Sequence, residues 1–479
     1  MANTLEAIAA RIDAGFDLRD IEKLRQCTEI CQEMMKCADG VDQPLLYYFQ
    51  ANAHSAIRKI KSADERYMFD WIQPEYTNEI LALRESARHR HFDHLDAIRR
   101  CQVFTNLGNS LNAVGRPIEA IEMWDEALKI LPVFAMARGN RGMGLSHYSA
   151  GLYDVGHRGI FLMQAREDFL KATSSQGVWD SNYPIEILEE FQNRACEIEE
   201  YLGRHFDESK FEPHNWTLGT SKNEQRYRKW RLENRLFLNP LNDLETWPIA
   251  AHDIFHLPNH VYRIDDRPRF VQYYDILKQE YVSACLLLFE GIQTEKEHIA
   301  DKGNQVFDHS DGSIGGARIE KQKLAFRGAY SILDKVAVFL NEYYELGKDI
   351  RRISFRNIWY DEKRICSQIP HQNWRLRGLY ALSLDLFDRE FKETALPHSE
   401  LINDVRNAAE HRYLQVYEDG SVIQSDPITT RVECTEFYEM ALRMVKIARG
   451  PDLPVTVNVP SRKRRIVSWE IQAFSSTVA

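Results

Sequence analysis

The sequence predicts an all-α protein in which a helical repeat array is followed by a helical bundle. Three observations lead there. From Cys101 onward, small and apolar residues fall on a helix-pair template of about 34 residues. Six later segments carry apolar residues three and four apart, the spacing of one helix face. Between the two regions, residues 206–224 hold Asp207, Glu208, Pro213, Asn215 and Gly219 and read as a linker. The expected division is therefore residues 1–205, linker 206–224, residues 225–449 and a tail over 450–479.

The elements follow in order. Looser helical pairs are expected around Leu18–Cys37 and Tyr47–Lys61. In the unit starting at Cys101, Phe104, Leu107, Gly108 and Leu111 occupy the first helix. Ala120, Trp124 and Ala127 occupy the second, and Pro132 ends it. Gly108, Ala120 and Ala127 are small enough for the helices to approach, and Trp124 fills the space between units. This is the pattern of a tetratricopeptide-like repeat, so the first half reads as an α-solenoid. The next unit starts near Ala135, with Gly142 and Leu145 in register. Its second helix is delayed to Ala165, Phe169 and Ala172, which predicts an insertion of about eleven residues rich in glycine (Gly151, Gly156, Gly159). The concave side of such an array commonly takes a peptide, so a protein or peptide partner is expected there, or the second half itself.

Beyond the linker, helices are expected near Gln225–Phe237, Arg269–Gly291, Glu320–Leu346, Trp374–Arg389, Ser399–Val416 and Thr435–Ala448. Val306–Ala317, with Asp308, Asp311, Gly312, Gly315 and Gly316, reads as a loop. No Lys-Ser/Thr pair follows its glycines, which excludes a phosphate loop. The tail segment Leu453–Val459 reads as one extended strand or arm.

Composition narrows the class. The chain has 479 residues, 44% hydrophobic and 28% charged. Its apolar runs are short, Ala284–Phe289 being typical, and none approaches the roughly 20 residues of a membrane span. No membrane partner is expected. The first residues, Met1–Glu6, lack the basic-then-apolar order of a secretion signal, and a cytoplasmic location follows as the expectation. Eight cysteines are scattered. Cys27, Cys31 and Cys37 have no second ligand pair at zinc spacing and read as thiols. Net charge is −10, but residues 1–221 carry 24 Lys+Arg against 34 Asp+Glu, while residues 222–479 carry 37 of each. The neutral second half is the better place for a polyanion.

One stretch carries chemistry. Val405-Arg406-Asn407-Ala408-Ala409-Glu410-His411 places a fixed cation and a proton-transfer group on the expected helix Ser399–Val416. On a helical wheel, Leu401, Val405, Ala408 and Ala409 form the core face. Asn407 and His411 are one turn apart, whereas Arg406 and His411 stand roughly 140° apart. Two copies across a two-fold axis would aim both groups at one target. Leu414 falls on the polar side near Asn407 and fits a covered interface. The competing reading is a solvated helix face.

This stretch resembles the Arg-x(4–6)-His signature of the HEPN superfamily. Tyr227–Trp230, Leu236–Asp243 and Ala329–Lys335 look like a HEPN family that is often attached to tetratricopeptide-type repeats. The resemblance implies a HEPN-type helical bundle, a homodimer and a metal-independent endoribonuclease, in a toxin or antiviral-defence setting, with neither metal nor cofactor. Arg406, Asn407 and His411 would be catalytic, with Glu410, Asp334 and Lys335 as possible support. His411 would act as base on the RNA 2′-hydroxyl or as acid on the leaving oxygen, and Arg406 would stabilise the phosphorane-like transition state. The alternative is a non-catalytic scaffold whose second half only dimerises or binds nucleotide or RNA.

Two further clusters read as plainer features. His252 and His256 are spaced to share a metal, but Pro248 and Pro258 bracket them, and surface or capping roles fit better. Arg462–Arg465 reads as a solvated basic tail, with RNA phosphate contact as the other reading.

Overall fold

The computed structural model describes residues 5–450 except 38–39, 65–66, 68–69, 181–184, 258–267, 294–297, 305–311, 363, 371–372, 389–401, 403, 409–411 and 421–427. Leu453–Val459 and Arg462–Arg465 lie outside the described residues.

The first half is a succession of helices, each packed on the next. They are α1 (Leu5–Asp17), α2 (Ile21–Cys37), α3 (Gln43–Lys61), α4 (Pro74–Arg88), α5 (Ala97–Ala113), α6 (Pro117–Ile130), α7 (Ala135–Ala150), α8 (Val155–Ala172) and α9 (Ile185–His205). Local chemistry sets several starts. Proline opens α3, α4 and α6, where its missing N–H is no loss. The Asp96 and Asp154 carboxylates cap α5 and α8 by accepting from the Arg99 and His157 amides. Nearest-neighbour packing of this kind builds a solenoid. Trp124 is buried between units: a Cβ on Gly108 would stand 2.6 Å from its ring, and one on Gly144 2.2 Å.

The expected glycine-rich insertion of about eleven residues is not present, and the second helix is not delayed. α8 starts at Val155 and runs through Gly156 and Gly159 as continuous helix. Gly159 is small because the Phe206 ring lies against it; an added Cβ would fall 2.2 Å away. The stretch expected as a linker is likewise packed. Phe211 meets Trp247 edge to face at 5.3 Å, and the Ile249 amide donates to the Pro213 carbonyl at 3.2 Å.

The second half contains α10 (Lys222–Glu233), the short α11 (Leu241–Leu244), α12 (Arg269–Gln293), α13 (Ala317–Tyr343), α14 (Trp374–Phe387) and α15 (Cys434–Arg449). α12, α13 and α15 pack on one another. Phe437, Met440, Ala441, Met444, Val445 and Ala448 bury one stripe of α15 at helical spacing. The architecture is all-α with a small sheet added. β1 (Ser313–Ile314) and β4 (Tyr413–Tyr417) pair antiparallel, and β4 and β5 (Thr429–Glu433) pair parallel. A hairpin of β2 (Tyr360–Asp361) and β3 (Arg364–Ile365) stands apart.

β4 corrects the expected helix Ser399–Val416. Residues 404–408 are helical, but Tyr413–Tyr417 is the central strand of the sheet. Tyr-Leu-Gln-Val-Tyr alternates apolar and polar residues and is rich in aromatic and β-branched side chains, which suit a pleated surface. Leu414 and Val416 are buried as the inward positions of that strand. Leu414 is therefore core, not the rim of an interface, and the helical wheel does not extend to it.

The two halves are joined by buried charge. Asp385 of α14 accepts from Arg84 of α4 at 3.2 and 3.3 Å and also from Arg116, which begins the turn into α6. All three side chains are 6% exposed or less. Asp243 accepts from Arg449 and from the Tyr148 hydroxyl, 2.8 Å away on α7. Arg449 also donates to the Phe237 and Asn239 carbonyls at 2.8 and 3.1 Å. The Leu236–Asp243 segment is thus a buried polar knot, tied further by the Asn242 amide on the Leu232 carbonyl at 3.0 Å.

Two glycines make a close backbone approach across this junction. Gly115, at φ +87°, lies against Gly378 of α14, where an added Cβ would sit 2.0 Å from the Gly115 oxygen. Gly378→Ala is therefore expected to destabilise the protein by roughly 1–3 kcal/mol through overpacking. Gly203→Ala in α9, where a Cβ meets nothing within 4 Å, should instead be neutral or stabilising. Urea unfolding midpoints of the two variants check this, and a Gly378→Ala midpoint at or above that of Gly203→Ala would contradict the close contact.

Candidate active site around Arg406

The short helix over residues 404–408 is anchored by Ile402, Val405 and Ala408, all buried. That anchoring turns Arg406 and Asn407 to the half-buried side. Arg406 Nη1 donates to Asn407 Oδ1 at 3.2 Å. Its guanidinium stands 5.2 Å from the centre of the Tyr330 ring, within cation–π range. Tyr330 lies in α13 within the Ala329–Lys335 segment and is nearly buried. The fold thus brings together two stretches far apart in sequence and fixes the cation between a ring face and an amide. The Arg412 amide donates to the Ala408 carbonyl at 3.1 Å, just before β4 begins. Glu410 and His411 lie outside the described residues.

Asp334 and Lys335 make their contacts elsewhere. Asp334 accepts from the Phe355 amide at 3.0 Å, fixing the chain after α13. Lys335 pairs with Glu280 of α12 at 2.5 Å, a half-exposed tie between two helices. Neither contact reaches Arg406 or Asn407.

Sequence reasoning missed the strand that follows the helix, and with it one face of the small sheet. Gln415 and Arg431 are register partners and share one face. Tyr417 donates to Gln415 Oε1 at 2.9 Å, and the Arg431 guanidinium stands 5.7 Å from the Tyr417 ring. Tyr413, on the same alternation, is 69% exposed. The signal was available in the alternation of residues 413–417, but the neighbouring helical spacing absorbed it.

The other candidate clusters resolve differently. His252 and His256 sit in irregular backbone, as the flanking prolines suggest. The His252 ring lies 5.7 Å from Trp216 and the His256 ring 4.7 Å from Tyr153. Asp253, between them, accepts from Arg231 at 2.7 and 2.8 Å. Among the described residues, no group of three His, Cys, Asp or Glu is placed to hold a metal ion. Cys27 and Cys31 are buried thiols; burial pushes Cys31 up to about 12. Among the described residues, no helix is long and apolar enough to cross a membrane.

Residues 261–451 match the LA2681-like HEPN family. The match takes in α12 to α15, the Tyr330 segment and the whole Arg406–His411 stretch, and covers less than half of the chain. It begins after Tyr227–Trp230 and Leu236–Asp243. The resemblance to HEPN domains read from the motif therefore holds for this region. No curated protein and no solved structure matches the chain.

Proposed function

We propose that this protein is a metal-independent endoribonuclease of HEPN type, acting as a homodimer in a toxin or antiviral-defence setting. In this reading residues 1–205 form a regulatory or targeting repeat domain, residues 225–449 form the catalytic domain, and residues 450–479 are a tail. The observation that carries it is the fixed Arg406 guanidinium over Tyr330, on a short helix within the HEPN-matched region.

The RNA 2′-hydroxyl attacks the adjacent phosphorus while the 5′-oxygen of the next nucleotide leaves. His411 removes the 2′ proton or supplies one to the leaving oxygen, and its counterpart in the second protomer takes the other role. Arg406 offsets the charge that builds on the equatorial oxygens. Asn407 bonds the phosphate or orients His411, and Glu410, Asp334 and Lys335 are candidates for indirect support. Tyr413 and Arg431 offer a ring and a cation on the adjoining sheet face, the groups that hold unpaired bases and their backbone.

Incubation with total RNA in excess chelator is expected to yield fragments ending in 2′,3′-cyclic phosphate and 5′-hydroxyl, while DNA stays intact. Activity that is abolished by chelator and returns with magnesium would overturn the mechanism.

A further inference from the structure

A cavity of about 550 Å³ lies where the repeat array meets the bundle. α4, α5 and α6 form one side, and α14 and α15 the other. It contains none of the residues assigned to RNA cleavage, and its size is that of a small-molecule site. Most of its wall is apolar. Phe104, Leu107 and Leu111 come from α5, Met123 from α6, Leu382 from α14 and Met440 from α15. The two methionines are unbranched and adapt to the shape of what they touch.

The rest of the wall is charged. Seven lining side chains are Arg or Lys and three are Glu. Five of the cations have a carboxylate partner: Arg84 and Arg116 on Asp385, Arg235 on Asp125, Arg449 on Asp243, and Lys446 on Glu122 at 3.2 Å. Arg88 is engaged as well. Arg443 differs. Among the described residues it makes no hydrogen bond or ion pair. Its charged surroundings are Arg84, Arg88 and Arg116 against Glu119 and Asp385. Asp385 already serves Arg84 and Arg116, and Glu119 is held by Arg116. Glu439, one turn earlier on α15, is exposed and forms no ion pair with Arg443. Among the described residues the cavity therefore offers one uncommitted positive charge in a mainly apolar wall. A ligand with several charges would have to break the ion pairs that join the two halves; a ligand with one would not.

We propose that this cavity binds a small aliphatic carboxylate, its head group on the Arg443 guanidinium and its hydrocarbon chain along Phe104, Leu107, Met123 and Met440. Guanidinium and carboxylate match in shape and make two parallel hydrogen bonds. Burial, then Arg84, push Arg443 down to about 10, so it remains a cation at neutral pH. A carboxylate beside it offsets the cost of holding that charge away from water. Each methylene that enters the apolar part of the cavity leaves water and adds to affinity, so binding should strengthen with chain length until the space is filled. The ligand would touch α5 and α6 on one side and α14 and α15 on the other, and so bridge array and bundle. None of this depends on RNA cleavage.

Calorimetry on the full-length protein tests this, with each probe kept below the concentration at which it self-associates. Decanoate is expected to bind one per chain. Butyrate keeps the charge but loses most of the chain, and decanol keeps the chain but loses the charge; both should bind more weakly. Arg443→Met should weaken decanoate by roughly tenfold or more, the loss of a charge-assisted hydrogen bond, and leave decanol unchanged. Because Arg443 has no partner to lose, that variant should unfold at the wild-type temperature or above it. Met123→Trp, which fills apolar space without touching a charge, should weaken decanoate and decanol alike. Arg406→Ala should leave decanoate binding unchanged, and ATP should bind more weakly than decanoate. The proposal is overturned if decanoate does not bind, or if it binds Arg443→Met or Met123→Trp as it binds the wild type. It is also overturned if decanol or ATP binds as tightly as decanoate, or if Arg406→Ala abolishes binding. A lowered unfolding temperature for Arg443→Met would mean that Arg443 already has a partner, and would overturn it too.

Discussion

Asp385→Asn is expected to destabilise the protein by about 3–5 kcal/mol, the usual cost of removing one partner from a buried ion pair. The asparagine keeps the shape of the side chain but not its charge, so the Arg84 and Arg116 guanidinium groups are left together in a dry interface. Burial alone would push the Asp385 carboxyl up, but Arg116 and Arg84 outweigh it and hold it below the ordinary aspartate value of 3.8. A carboxyl depressed on folding contributes stability above its unfolded value and loses it as pH falls through the folded one. The wild type should therefore lose stability as the pH falls below 3.8, while Asp385→Asn, already without that contribution, should lose less over the same range. Urea unfolding followed across pH reads both effects. Equal midpoints for wild type and variant at neutral pH would refute the account of the junction.

The second large effect is on catalysis. His411→Ala is expected to slow RNA cleavage by roughly 10²–10⁴, the range for loss of a general acid or base. Arg406→Ala should cost a comparable factor by removing transition-state charge stabilisation. Arg406 also contacts Tyr330 and Asn407, so Arg406→Lys is the useful companion. It retains the charge, loses the planar fork, and should recover only part of the rate. If two protomers share the site, mixing inactive Arg406→Ala with inactive His411→Ala and allowing exchange should restore partial activity, because some heterodimers keep one complete composite site. Wild-type cleavage by either single variant would remove that residue from the mechanism. A monomer that cleaves at full rate would rule out a shared site.

Helices whose apolar spacing is long and regular were legible from the sequence. α12, α13 and α15 fall within a few residues of their expected bounds, and Trp124 lies between units as its position suggested. Two local signals misled. Glycines at 156 and 159 read as part of an insertion, yet Gly159 lies in a helix face where the Phe206 ring packs. The apolar residues of 413–417 read as a continuing helix because one strand beside a helical turn offers too few residues to separate a period of two from one of 3.6. What most shapes the candidate site had no local signal. Tyr330 meets Arg406 from another helix, and the charges that join the halves are paired across hundreds of residues. The Arg406-Asn407 pair itself was legible because both members lie side by side in one motif.

The pairing distance of Asp385 has a consequence during synthesis. Arg116 leaves the ribosome 269 residues before Asp385, and Arg84 leaves 301 residues before it. At about 5–20 residues per second, Arg116 waits between about 13 and 54 s for its counter-charge. During that interval the nascent array presents two arginines without the aspartate that joins them in the finished fold. The junction therefore closes only when α14 has emerged, and a late helix completes the packing of α4 and α6. A ribosome stalled between Leu202 and Trp374 would hold a chain whose repeats are all written but whose junction cannot close.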